Sequence, residues 1–296
     1  MRCSILSLVA ILITIVTTMA SCQQQGRTDK TFPIMNATAN ISSPLADTFK
    51  LADDVLIPYR TKDSLFGYVN KDGEMIIAPQ WPMAFPFVNG RAAVMKKIND
   101  RQDAVAMIDR SGKPLTDYLY TNLAPSGYPG HWQVALLGGQ WGVIDSMGNE
   151  IIPAGYNAMG LEEESGWYLV RINSYDGPYG YLAPDGQVLL KPEYEDLVFH
   201  NGYIKFKKDG QYGFMNKDRE VVIPAEYEFA DSFNENGQAH VVKDGERYMI
   251  NPKGEEILDL RKYDDLGYLH EKIGIVRVGR CPNSVYGLID LKTGEE

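Results

Sequence analysis

The residues of this 296-residue chain best suited to acid–base, nucleophilic or metal chemistry are four histidines, His131, His200, His240 and His270, and the cysteines Cys3, Cys22 and Cys281. A zinc or proton-transfer site needs such groups at a spacing that brings them to one face, as in H-x-x-H or H-E-x-x-H. No histidine here stands at either spacing. Cys281 lies in Gly279-Arg280-Cys281-Pro282, with no histidine or acid close in sequence to lower its pKa, and reads as a structural thiol. Glycoside cleavage requires two facing carboxylates. The acidic runs, Glu162-Glu163-Glu164 and Asp264-Asp265, place neighbouring charges on diverging sides and read as solvated loops. A nucleophile elbow, a phosphate-binding loop and a dinucleotide fingerprint are all missing from the sequence. What remains is recognition. Trp81, Trp132 and Trp167 fall in connections or at strand starts, where an indole could stack on a sugar or anchor a protein partner. No catalytic residue, metal or cofactor is expected.

The formal charge is −10, and no Lys/Arg cluster exceeds a pair. Nucleic acid is therefore not an expected partner, because phosphate binding needs a basic stripe. Residues 1–21 hold one cation, Arg2, an apolar stretch from Ile5 to Val16, and small residues at Ala20 and Ser21. That is the layout of a secretory leader, too short to span a bilayer. Met19-Ala20-Ser21-Cys22 resembles the lipobox of bacterial lipoproteins, with Met19 where Leu is usual. The resemblance implies cleavage before Cys22 and a lipid on its thiol, which would hold the chain to a membrane through its acyl chains. It further implies a bacterial cell envelope setting, at the outer membrane facing the periplasm. Residues 22–50, rich in Gln, Thr, Asn and Ser and without period, read as a flexible tether.

The rest of the chain, residues 51–296, is built from one recurring unit. Trp141-Gly142-Val143-Ile144-Asp145 has counterparts at Phe66-Gly67, Tyr179-Gly180, Tyr212-Gly213 and Tyr286-Gly287, and weaker ones at Val105-Ala106 and Arg247-Tyr248. Each copy passes through a polar turn such as Asn-Lys-Asp-Gly, where glycine, or Arg219 once, supplies the left-handed residue. An aliphatic segment then runs to a proline that is expected to end the strand. Next come a tyrosine, a connection with Phe and Gly, and an alternating third strand such as Arg91–Lys96.

These features together resemble the WG repeat, a bacterial β-repeat named for its Trp-Gly pair. Only Trp141 keeps the tryptophan, and the second and sixth units lack the glycine. The expected fold is all-β, about seven tandem antiparallel meanders of three or four strands, stacked as a propeller-like ring in preference to an open solenoid. In a strand the ring and the glycine face opposite sides, so the pair is read as a packing device. The expected function is a lipid-anchored, non-catalytic platform for a protein, peptide or glycan ligand, with a carbohydrate-active enzyme as the alternative.

Overall fold

Strand formation follows from the alternation of β-branched and aromatic residues between Asx- and Gly-bearing turns. The computed structural model describes residues 54–174, 176–270, 272–279 and 284–296, with the side chains of 268–270 excepted. The leader, Cys22, the tether and Cys281 lie outside the described residues. In the described part every regular element is a strand.

The strands run as antiparallel meanders in chain order. The first sheet holds β1 (Ile57–Arg60), β2 (Phe66–Val69) and β3 (Met75–Trp81). A seven-stranded sheet follows, made of β4 (Met83–Ala84), β5 (Ala92–Asn99) and β6 (Gln102–Ile108), then β7 (Tyr120–Pro125), β8 (His131–Leu136), β9 (Trp141–Asp145) and β10 (Glu150–Tyr156). Three four-stranded sheets come next. They are β11 (Ala158–Glu162) to β14 (Val188–Tyr194) by way of β12 (Trp167–Arg171) and β13 (Tyr179–Leu182); β15 (Asp196–His200), β16 (Tyr203–Lys208), β17 (Gln211–Asn216) and β18 (Val221–Tyr227); and β19 (Phe229–Ala230), β20 (Ala239–Lys243), β21 (Glu246–Ile250) and β22 (Glu256–Asp259). The last sheet is β23 (Asp265–His270), β24 (Ile273–Val278) and β25 (Val285–Asp290).

Each sheet is phased differently from the sequence repeat. A full sheet begins with the short strand after the tyrosine and ends with the aliphatic strand, so the sequence unit that starts at the aromatic-glycine pair crosses from one sheet to the next. The four-stranded form realises the additional strand near the tyrosine. The seven-stranded sheet is two units joined by a single ladder pair, Val105 with Tyr120.

The aromatic-glycine pair and the proline belong to one device. Contrary to expectation, the aliphatic strand continues past its proline: Pro79, Pro153, Pro192 and Pro224 lie inside β3, β10, β14 and β18. Phe66 pairs with Trp81 and Tyr68 with Ile77, so the step of two residues on β2 faces a step of four on β3. The same shift separates Tyr179–Tyr194 from Tyr181–Leu190, and Tyr212–Tyr227 from Phe214–Ile223. Proline is tolerated there because a bulge withdraws its nitrogen from the ladder. The bulge presses backbone onto the glycine. A Cβ on Gly142 would stand 2.7 Å from the Ile152 carbonyl oxygen and 2.8 Å from the Ala154 nitrogen. On Gly180 it would meet Leu190 O at 2.6 Å and Pro192 N at 2.7 Å, and on Gly213 Ile223 O and Ala225 N, both at 2.7 Å. Gly67 meets the same two backbone atoms, of Ile77 and Pro79.

Residues two and three places after the aromatic bury opposite faces. Val143 packs with Ile152, Tyr168, Val170 and Leu182 toward the following unit, whereas Ile144 packs with Met107, Leu123 and Trp132 toward the preceding unit of the same seven-stranded sheet. Phe214 and Met215 divide in the same way between two clusters. Among the described residues six such clusters are found, each bridging two successive units. None joins the first unit to the last, and no ladder does so, and the closing seam of the expected ring is therefore not found among the described residues. Nearest-neighbour stacking by itself buries both sheet faces, so burial does not demand closure.

The turns are plain hairpin chemistry. Asp145 Oδ1 accepts from the backbone N–H of Met147 at 2.7 Å and of Asn149 at 2.8 Å, and Asn70, Asn216 and Asn251 cap their turns alike. Arg219 takes the left-handed conformation with φ 69°, where Gly148 has 88°.

Two outcomes are expected. Gly142→Val should destabilise the fold by about 1–3 kcal/mol through overpacking, whereas Gly287→Val, whose Cβ would meet only Val276 Cγ2 at 3.6 Å among the described residues, should leave the urea midpoint nearly unchanged. Equal effects of the two would remove the bulge contact as the reason for glycine. Burial also pushes the phenols of Tyr68 and Tyr181 far above their ordinary value and that of Tyr227 up to about 12. Because these folded-state values are raised, the associated stability is intact below about pH 10 and is lost as pH rises through the folded values. Urea midpoints should therefore fall steeply above about pH 10, in step with phenolate absorbance; a midpoint that stays level while the absorbance rises contradicts the assignment.

Candidate functional site

The three tryptophans do not converge. Trp81 is core, 3% exposed, and its indole N–H donates to Tyr118 Oη at 2.9 Å. Trp167 is half-buried, edge-on to Tyr181 and Phe199 at 5.6 and 5.2 Å, and the Arg219 guanidinium lies over its ring. Trp132 on β8 is buried, yet it borders a cavity.

That cavity, of about 340 Å³, is an apolar cleft between β5–β6 and β7–β8. Its walls are Ala93, Met95, Val105, Leu123 and Trp132, and Phe85 and Val88 form an exposed rim. It exists because the second unit breaks the repeat. Val105 and Ala106 replace the aromatic and the glycine, and after the turn the chain makes only an isolated bridge, Ile108 with Pro114, where other units lay down a bulged strand. No aromatic ring fills the space, and the cleft lies where β6 and β7 share a single ladder pair.

The cleft is lined by no carboxylate, imidazole, amine or thiol; its polar side chains are those of Thr121 and Asn122. Such a wall can take up an aliphatic or aromatic group by excluding water, but it has nothing to move a proton. Of this cleft the sequence singles out Trp132 alone; its other walls are ordinary core residue types. The signal that was present is the double loss of glycine and proline-bulged strand in one unit.

Glu162, Glu164, Asp265, His131 and His200 are engaged in structure. Glu162 accepts from the backbone N–H of Glu164 and Ser165, closing its own turn. Glu164 accepts from the N–H of Asn201 and Gly202, both at 3.1 Å, and approaches His200 at 3.4 Å. Asp265 faces Arg277 at 3.4 Å. His131 Nδ1 is 3.1 Å from Tyr168 Oη, which also meets Ser126 Oγ at 2.8 Å. Desolvation pushes this imidazole below its ordinary pKa, against the opposing pull of Asp145. His131, His200 and His240 lie on β8, β15 and β20, in separate sheets.

Several solved chains are similar to this one over part of their length. One described as the eukaryotic initiation factor is 13% identical, with 83% of this chain and 73% of that chain covered at a TM-score of 0.36. BamB from Moraxella catarrhalis is 13% identical, with 69% and 66% covered and a TM-score of 0.29. The WD40 beta propeller domain of Doa1 is 10% identical, with 60% and 70% covered and a TM-score of 0.29. No curated protein matches the sequence. The family model for the WG containing repeat matches residues 66–97, 141–175, 179–212, 212–246 and 249–280, and the first four of these carry the aromatic-glycine strand and the bulged aliphatic strand already described. The chain belongs to the WG containing repeat family.

Proposed function

We propose that this protein is a lipid-anchored component of the bacterial envelope whose repeat domain is a non-catalytic platform, and that its partner is a protein or peptide that inserts an apolar side chain between β6 and β7. The observation that carries the reading is the cleft at Val105: an apolar wall with an exposed rim of Phe85 and Val88, and no titratable group along it. A side-chain anchor in such a slot is the usual centre of a protein-binding surface. A glycan would leave most of its hydroxyls unpaired there, so within the class of ligands first expected the cleft favours a peptide. The recurring aromatic, glycine and Asx residues support the same reading, because packing and turn formation account for them. Cys22, acylated after removal of residues 1–21, would tether the platform at the outer membrane, facing the periplasm, through the segment up to residue 50.

Selection of displayed peptides against the full chain should enrich sequences with an aromatic or aliphatic anchor. Phe85→Asp, at a rim position 44% exposed, should weaken those peptides at least about tenfold, the range of a truncated interface anchor, without changing the melting temperature. Peptides that bind wild type and Phe85→Asp equally, or enrichment on a glycan array in their place, would sink the proposal. Separately, Cys22→Ser should move the protein from the membrane to the soluble fraction and abolish labelling by a palmitate analogue. Retention of the label by that variant would refute the anchor.

A further inference from the structure

The seventh aromatic-glycine strand, β25, is seated as its counterparts are, with Ile289 buried among Met249, Val276 and Leu291. Its turn closes alike, the Asp290 N–H donating to the Glu295 carbonyl at 2.8 Å as the Asn216 N–H does to Glu220 at 2.9 Å. The far edge of the strand differs. Among the described residues β24 is its one sheet neighbour, and Tyr286 and Leu288 stand 52% and 53% exposed, whereas Tyr68, Val143, Tyr181 and Phe214, the counterparts of Leu288, are fully buried. By the two-residue period of a strand, the main-chain N–H and C=O groups of Tyr286 and Leu288 point to the same side as the Asp290 N–H and line that edge.

Such edges are normally blunted by proline, charge or a bulge. Here β3, β10, β14 and β18 each carry a proline, β1 carries Pro58 and Arg60, and β22 carries Glu256 and Asp259. In contrast, β25 has no proline, lysine or arginine, and its one charged residue, Asp290, is occupied in capping the turn. An unguarded edge with exposed apolar side chains is the geometry of strand addition.

Four filled copies of the same interface within the chain specify the strand that fits. In each, an aliphatic residue lies opposite the second residue after the aromatic, as Ile77 does Tyr68, Ile152 Val143, Leu190 Tyr181 and Ile223 Phe214. An aromatic four places later, Trp81, Tyr156, Tyr194 or Tyr227, lies opposite the first aromatic, and a proline stands between the two. The bulge at that proline presses onto the glycine.

We propose that the free edge of β25 binds an extended segment of another protein that carries Ile or Leu, a proline one or two places later, and Tyr or Trp four places later. The aliphatic residue lies beside Leu288, the aromatic lies opposite Tyr286, and main-chain hydrogen bonds to these two residues hold the segment in line. The bulge rests on Gly287, where a Cβ would meet only Val276 Cγ2 at 3.6 Å among the described residues. This is a second binding surface, separate from the cleft at Val105.

The probe is a fluorescent peptide Glu-Val-Val-Ile-Pro-Ala-Glu-Tyr, the sequence of residues 220–227, titrated into the full chain in detergent and followed by anisotropy. Binding should saturate, and a photoreactive leucine at the peptide's isoleucine should cross-link to β25. Gly287→Val, whose fold is expected to be as stable as wild type, should weaken the peptide at least about tenfold by denying the bulge its space. Replacing the peptide's isoleucine with aspartate should do the same, whereas Phe85→Asp at the other site should leave the affinity unchanged. Equal affinity of Gly287→Val and wild type, no saturable binding, or cross-links confined to other strands would overturn the proposal. So would a dimer in sedimentation that Gly287→Val dissolves, or binding that appears only after deletion of residues 23–50, since either gives the edge a different occupant.

Discussion

A bulged strand laid across a glycine is the contact on which the architecture rests. In four units the carbonyl before the bulge and the amide nitrogen within it lie where a Cβ would otherwise be, so any other residue on the aromatic-glycine strand would push the aliphatic strand away. Two cross-strand events follow from that approach. The strand after the bulge returns to register with an aromatic opposite an aromatic, as in Trp141 and Tyr156. The residues beyond the glycine are set deeply enough to bury one side chain toward each neighbouring sheet, as Val143 and Ile144 do. Packing across six junctions then supplies the stability that no single meander could hold alone.

The same constraint explains where the regularity fails. In the second unit Ala106 fills the glycine position, and no bulged strand crosses it. In the sixth, Tyr248 fills it and pairs with Asp259 on a strand that has no proline. Glycine and proline-bearing bulge are kept together or lost together in these six units, as expected if one exists to accommodate the other. Each loss leaves unfilled volume beside the replaced aromatic, at Val105 and at Arg247. The first opening is apolar and the second charged, because the neighbouring strands differ.

Much of the fold was legible in residue order. The period, the strand count per unit, the turn residues including Arg219, and the opposite faces of ring and glycine all follow from local stereochemistry. The proline was misjudged. A missing N–H was taken to end pairing, whereas register shifts in β3, β10, β14 and β18 let the ladder resume beyond it. The tryptophans were also weighted by type: Trp81 proved to be core, Trp167 a packing residue beneath Arg219, and Trp132 a wall of the apolar cleft.

The amino-acid order by itself determined that this chain is a tandem array of antiparallel meanders, because alternation, Asx-Gly turns and a recurring aromatic-glycine pair are short-range properties written within each unit. Which strands share a sheet, why glycine is obligatory at four positions, and where cavities open were decided by tertiary structure. Those features depend on a bulge in one strand meeting bare backbone in another, and on the volume left when a distant ring is replaced. Neither can be computed from spacing along a single strand.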